Sequence, residues 1–136
     1  MVSFKIFGKG KASSDSGRLP YALSFEWIPY KLFYGRKSST TLFLRVKNIG
    51  SEDYLTSLEI ELPDKLGFDA MSLSKKKQIK LGVLKQQEER EQRIEVNNSI
   101  NAEKGEYTVT IRATAHYGDY EHVINSITKR TTVSVV

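Results

Sequence analysis

The chain has 136 residues, of which 39% are hydrophobic and 27% charged, and it carries a net charge of +5 with no cysteine. Its length is about that of one domain, and its composition is that of a folded globule rather than a disordered segment. The missing thiols exclude a disulfide framework, a cysteine nucleophile and every thiolate metal site, and no apolar run is long enough for a membrane-spanning helix.

The first residues, MVSFKIFGKGK, alternate at Val2, Phe4 and Ile6, which is the pattern of a strand. Lys5, Lys9 and Lys11 interrupt them, so the continuous apolar stretch of a secretory signal is missing. With Met1 as its start the protein is expected in the cytoplasm; a signal or anchor upstream would place it at the cell surface instead. Residues 10–20, GKASSDSGRLP, read as a flexible polar loop. Alternation returns at Leu23, Phe25 and Trp27, and again in Thr41, Leu42, Phe43, Leu44, Arg45, Val46 and Lys47, where Leu42, Leu44 and Val46 share the inner face. Asn48 to Ser51 supply a turn. Leu58, Ile60 and Leu62 form the inner row of the next strand, which Pro63 ends because it has no N–H for a ladder.

Residues 84–93, LKQQEEREQR, hold one apolar side chain, so a helix there would have no face to bury. They are expected to form a connection, with one helical turn, into a strand around Ile94 and Val96. Tyr107, Val109, Ile111 and Ala113 then mark the inner face of a long strand. Tyr117-Gly118-Asp119-Tyr120 reads as the tight connection of a last hairpin, placing His116 opposite Glu121. The chain closes on an alternating run from Thr132 to Val136. Many short strands with no helices between them predict an all-β sandwich or barrel, in one domain over residues 1–136.

Particular residues add a likeness. Residues 41–68 run TLFLRVKNIGSEDYLTSLEIELPDKLGF: a strand ending in Lys-Asn-x-Gly, a polar loop, a second strand, then Leu-Pro and Leu-Gly-Phe. IKLGVL follows from Ile79, and KGEYTV from Lys104. This layout resembles the immunoglobulin-like, adhesion-related repeat domains of archaeal and bacterial proteins. The resemblance covers residues 23–136 and implies an all-β, immunoglobulin-like Greek-key sandwich of seven to nine strands in two sheets, serving as a spacer, scaffold or docking surface. It implies no chemistry.

Catalytic patterns are missing: there is no G-x-S-x-G and no H-E-x-x-H. The carboxylate pairs Glu52-Asp53, Glu59/Glu61 and Glu88-Glu89 fall in loops or on solvated strand faces, where no apolar pocket would raise a pKa. No enzyme activity and no cofactor are therefore expected. His116, His122 and Glu121 lie close in sequence, but a third metal ligand is not evident, and a surface histidine–carboxylate contact is the plainer reading.

Residues 1–37 hold seven basic and two acidic residues, a net +5, together with eight of the fourteen aromatics, while residues 38–136 balance at fourteen of each sign. Within this quarter Trp27, Tyr30, Tyr34, Arg36 and Lys37 interleave rings and cations. Such residues make protein-binding hot spots and also stack bases beside phosphates; the plainer reading makes Trp27 and Phe33 core. Lys75, Lys76 and Lys77 form the densest basic run, read either as a docking patch or as an edge strand guarded by lysines. These eight residues are the candidate partner-binding set. The expected function is a protein-interaction or scaffold module, binding an unknown protein or a second copy. The alternatives are nucleic-acid binding through the basic, aromatic N-terminal quarter, and cell-surface or carbohydrate binding if the protein is exported.

Overall fold

The alternating runs become nine strands among residues 20–136, the part of the chain that a computed structural model describes. The expected strand at Val2, Phe4 and Ile6, and all of the expected loop except Pro20, lie outside these residues. The strands are β1 (Tyr21–Ile28), β2 (Lys31–Leu32), β3 (Ser39–Asn48), β4 (Tyr54–Glu61), β5 (Leu66–Gly67), β6 (Lys76–Leu84), β7 (Glu89–Asn98), β8 (Gly105–His116) and β9 (Val123–Val135). One sheet has the order β1-β3-β7-β5, the other β2-β9-β8-β4-β6. Lettered by position in the sheets, these are A-B-E-D facing A′-G-F-C-C′, the arrangement of an immunoglobulin-like Greek-key sandwich, with the two-residue β5 at the D position coming before β6 at the C′ position in the chain. All pairings are antiparallel except β2 with β9. The first edge switches sheets at the cis Ile28–Pro29 bond, so β1 and β2 border both layers on one side.

The core follows the period-2 rule. Leu42, Leu44 and Val46 of β3, Leu58 and Ile60 of β4, and Val109, Ile111, Ala113 and Ala115 of β8 have no exposed surface. Each large aliphatic side chain so buried contributes about 1.5–3 kcal/mol of transfer free energy. The aromatic Tyr21 closes one end: its hydroxyl bonds the Thr56 hydroxyl at 2.6 Å, and burial pushes its pKa up to about 12.

Two stretches depart from expectation. Residues 84–93 contain no helical turn: β7 begins at Glu89, and only Lys85 to Glu88 connect it to β6. The reason is cross-strand charge pairing. Arg45 on β3 lies 3.5 Å from Glu91 and 3.9 Å from Glu89, so the charged residues form the solvated face of a strand. The last hairpin is wider than expected. Its connection spans residues 117–122, a bulge falls between Ala115 and His116, and His116 faces Val123 rather than Glu121. Asp119 holds this wider turn by accepting from the Glu121 N–H at 2.9 Å and contacting His122 Nδ1 at 2.7 Å.

The motif Asn48-x-Gly50 has a structural reason. Asn48 continues the inner row of Leu42, Leu44 and Val46, but is polar and fully buried. Its amide donates to the carbonyls of Glu52 and Leu84, both at 2.8 Å, and its oxygen accepts from the Gly50 N–H at 2.9 Å. One side chain thus knots the β3–β4 turn to the end of β6, satisfying backbone groups that have no ladder partner.

Candidate functional site

The opposite end of the sandwich is built around a second buried asparagine. Asn98 ends the inner row of β7 after Ile94 and Val96 and has no exposed surface. Its oxygen accepts from the Ser38 N–H at 2.9 Å and from the Ser38 hydroxyl at 2.6 Å. Its amide donates to the carbonyls of Phe33, Arg36 and Ser99 at 3.0, 3.1 and 3.2 Å. Ser38 Oγ in turn accepts from the Phe33 N–H at 2.9 Å. The loop of residues 33–38 is therefore folded around an interior amide, with Ser38 turned in and Tyr34, Arg36 and Lys37 exposed on the held backbone.

Those side chains interleave in space as they do in sequence. The Lys31 ammonium sits 5.5 Å from the centre of the Tyr30 ring and 5.8 Å from that of Phe33, and the Arg36 guanidinium lies 4.5 Å from the centre of the same Phe33 ring. Lys104, from the β7–β8 connection, lies 5.4 Å over Tyr34. Lys37 reaches the sulfur of Met71 at 4.0 Å. The rings attract the cations through their quadrupoles while leaving the positive charges at the surface. None of Arg36, Lys37 and Lys104 has a carboxylate partner among the described residues. Tyr30, Tyr34, Met71 and Leu73 are 54–74% exposed beside them.

The Met71–Leu73 loop is itself held. Asp69 accepts from the N–H groups of Leu73 and Ser74 at 2.8 and 3.0 Å, which keeps its carboxyl below the usual carboxylate range, with the Lys75 charge adding to the effect. Gly67 beneath the loop has no room for a side chain, because a Cβ there would lie 2.3 Å from the Ser72 Cα.

The eight candidate residues divide. Tyr30, Tyr34, Arg36 and Lys37 come together at this end. Trp27 lies apart, half-buried on β1 and bonded through Nε1 to the Thr131 hydroxyl at 3.0 Å. Lys75 turns inward, where its ammonium donates to the carbonyls of Leu66 and Ser72. Lys76 and Lys77 are exposed on the edge strand β6, with Lys77 over Phe68 at 5.8 Å. Sequence reasoning missed Asn98, Lys104 and Met71. Asn98 did carry a signal, since it is a polar residue in phase with two apolar core positions. Lys104 and Met71 had none, because the fold alone brings them to the loop.

The two histidines do not share a ligand position. His116 Nε2 bonds the Ser57 hydroxyl at 2.7 Å in the interior, and His122 pairs with Asp119 at the surface. Among the described residues no three histidine or carboxylate side chains converge. A shallow depression over β1 and β3, lined by Ser24, Phe25, Glu26, Phe43 and Arg45, is open to solvent and brings no catalytic grouping together.

No family model and no curated protein matches the chain. Among solved structures, AvmM, described as catalysing macrocyclization in alchivemycin A biosynthesis, aligns over 87% of this chain and 89% of its own, at 10% identity and a TM-score of 0.51. The self-complemented major fimbrial subunit MyfA of Yersinia enterocolitica aligns over 84% and 98% at 14% identity, with a TM-score of 0.48. The seventh PapD-like domain of human CEP192 aligns over 95% and 94% at 11% identity, with a TM-score of 0.45. At these identities the likeness is one of fold, and it carries no activity across.

Proposed function

We propose that this protein is a non-enzymatic interaction module whose basic, aromatic loop end receives an acidic surface of a partner protein. The observation that carries the reading is the Asn98 clamp: it fixes residues 33–38 so that Tyr34, Arg36 and Lys37 stand, with Lys104, as one pre-organised set. Pre-organisation matters because a partner then binds without first ordering the loop, which removes part of the entropic cost of association. Aromatic and arginine side chains at the centre, with exposed apolar groups beside them, are the composition of a binding hot spot.

The test is capture of partners from native lysate by the tagged chain, with nuclease, comparing wild type with an R36E/K37E variant. A discrete protein retained by wild type and lost by the variant supports the reading. Capture that disappears on nuclease treatment, with affinity falling steeply as salt rises, replaces the protein partner with nucleic acid. Retention of the same protein by the variant sinks this surface as the site.

A further inference from the structure

The edge strand β6 treats its two halves differently. From its bulge onward, side chains close it. Arg90 bonds the Leu81 carbonyl at 2.9 Å, the Tyr120 hydroxyl accepts from the Gly82 N–H at 2.9 Å, and the Asn48 amide bonds the Leu84 carbonyl at 2.8 Å. The first half, residues 76–80, is built otherwise. The Leu62 N–H donates to the Lys75 carbonyl at 2.8 Å, which makes these two a hydrogen-bonded pair. Such pairs alternate along an antiparallel ladder. Lys77 and Ile79 therefore turn their backbone groups toward β4, while Lys76, Gln78 and Lys80 turn theirs away from it. Among the described residues no strand and no side chain bonds those outward groups. They line about 17 Å of edge at 3.4 Å per residue.

The side chains along this half are basic and uncommitted. Lys76 and Gln78 lie opposite Glu61 and Glu59 on the outer face, where Lys80 follows them, and β6 contains no acidic residue. Glu59 pairs with Arg112 at 3.1 Å instead, and none of Lys76, Lys77 and Lys80 has an ion-pair partner among the described residues. Lys77 stands at an inward position opposite Ile60 and is nevertheless exposed, its ammonium 5.8 Å from the centre of the Phe68 ring. Ile79, the next inward position, and Phe68 are only half-buried against the core. Lysines along an edge oppose pairing with an identical edge. In a two-fold β6–β6 ladder centred on Gln78, Lys76 of each copy would stand opposite Lys80 of the other.

We propose that residues 76–80 of β6 are a docking strand for an extended acidic segment of a partner protein, which adds antiparallel to this edge. The geometry sets the pattern of the five partner residues that dock. The first and fifth are acidic, opposite Lys80 and Lys76, and the third is polar, opposite Gln78. The second turns inward beside Ile79 and is apolar. The fourth turns inward beside Lys77 and is acidic. The first, third and fifth residues make the main-chain hydrogen bonds that supply the attachment, and the alternating side chains supply the choice of sequence. Addition stops at Lys80, because the Leu81 carbonyl and the Gly82 N–H beyond it are already bonded. The site shares no residue with the Arg36 and Lys37 loop, so either assignment can fail alone.

The probe is a blocked peptide, Thr-Glu-Val-Thr-Glu-Glu-Thr, whose central five residues carry this pattern, titrated into the full chain and followed by backbone amide NMR. Three controls accompany it. One has every Glu replaced by Lys, one is N-methylated at the first, third and fifth residues of the pattern, and one at the second and fourth. Expected are shifts of the Lys76, Gln78 and Lys80 amides and binding about tenfold weaker for the Lys peptide. N-methylation at the first, third and fifth residues should abolish binding, whereas at the second and fourth it should not. K76E/K80E, whose two substitutions are on exposed side chains, should reverse the charge preference. Absence of binding, shifts that map instead to residues 33–38 and Lys104, or a peptide that binds equally well when methylated at its first, third and fifth residues, overturns strand addition. So does slow exchange of the Lys76, Gln78 and Lys80 amides without peptide: if it weakens on dilution a second copy holds the edge, and if it does not the chain's own residues hold it.

Discussion

The two ends of the sandwich are built on the same device and differ in charge. Each is organised by a buried asparagine at the end of an apolar inner row, Asn48 on β3 and Asn98 on β7. The connections around Asn48, residues 49–53, 85–88 and 117–122, carry one basic and five acidic residues, a net −4. Those around Asn98, residues 29–30, 33–38, 62–65, 68–75 and 99–104, carry five basic and three acidic, a net +2. Acids at the Asn48 end turn back on their own chain: Asp53 accepts from the Gln86 N–H, Glu88 from the Lys85 N–H and Arg90, and Asp119 from Glu121. At the Asn98 end Arg36 and Lys104 lie over rings and Lys37 beside the Met71 sulfur, and none of the three has an ion-pair partner among the described residues. In the proposed reading charge alone therefore does not mark the docking end; charge left without an internal ion-pair partner on an internally held backbone does.

Replacing the two asparagines separates holding from binding. Asn98→Ala strands the Ser38 N–H and the carbonyls of Phe33 and Arg36, and Asn48→Ala strands the Gly50 N–H and the carbonyls of Glu52 and Leu84. Each is expected to lose about 3 kcal/mol in urea unfolding. Only Asn98→Ala should also lose the captured partner under conditions where both variants remain folded. Equal loss of partner in both would mean that the ends are not functionally distinct.

A smaller contrast concerns close approach. A Cβ on Gly67 meets backbone, the Ser72 Cα, whereas a Cβ on Gly50 meets the Tyr54 ring edge at 2.7 Å, which can rotate away. Gly67→Ala should cost about 2 kcal/mol and Gly50→Ala about 1, read from urea midpoints. Inverting that order would place the tighter turn at the Asn48 end.

Charge reversal gives the next effect. R36E/K37E is expected to weaken partner binding about tenfold while changing stability by less than about 0.5 kcal/mol. E52K/E121K, at exposed positions of the other end, should leave binding unchanged. Isothermal titration with the captured partner, repeated at two salt concentrations, checks both.

Much of the fold was legible because it rests on periodicity. Leu42, Leu44, Val46, Leu58, Ile60, Val109 and Ile111 alternate in sequence and are all buried. Periodicity fails where polar side chains take inward positions at the mouth of the sandwich: Arg90 and Gln92 continue the inner row of Ile94 but read as a polar connection. The site was half legible. Rings and cations interleaved at residues 27–37 pointed to the loop where Tyr30, Tyr34, Arg36 and Lys37 gather, but composition alone could not show that Trp27 is tied to β9 or that Lys75 bonds carbonyls. Those depend on contacts across more than a hundred residues in the first case and on the β5–β6 turn in the second. The likeness to immunoglobulin-like repeat domains rested on turn residues, and Asn48, Gly50 and Gly67 now have physical reasons to be there.

The smallest expected effect, acid titration, tests whether the two ends are held independently. Asp69 at the Asn98 end is depressed mainly by the Ser74 N–H, while at the Asn48 end Glu88 is depressed mainly by the Lys85 N–H and Asp119 mainly by the Glu121 N–H. A carboxyl whose folded pKa lies below its unfolded value contributes stability above the unfolded pKa, near 4, and loses it as pH falls through the folded value. Between pH 5 and pH 2 the amides of Leu73 and Ser74 should lose hydrogen-exchange protection as Asp69 protonates, and those of Lys85 and Glu121 as Glu88 and Asp119 do. Asp69→Asn should remove the pH dependence at Leu73 and Ser74 alone, leaving Lys85 and Glu121 to titrate as before. A change at Glu121 in that variant would show that the ends communicate through the sheets, and the Asn98 loop could then no longer be treated as a surface held only by its own contacts.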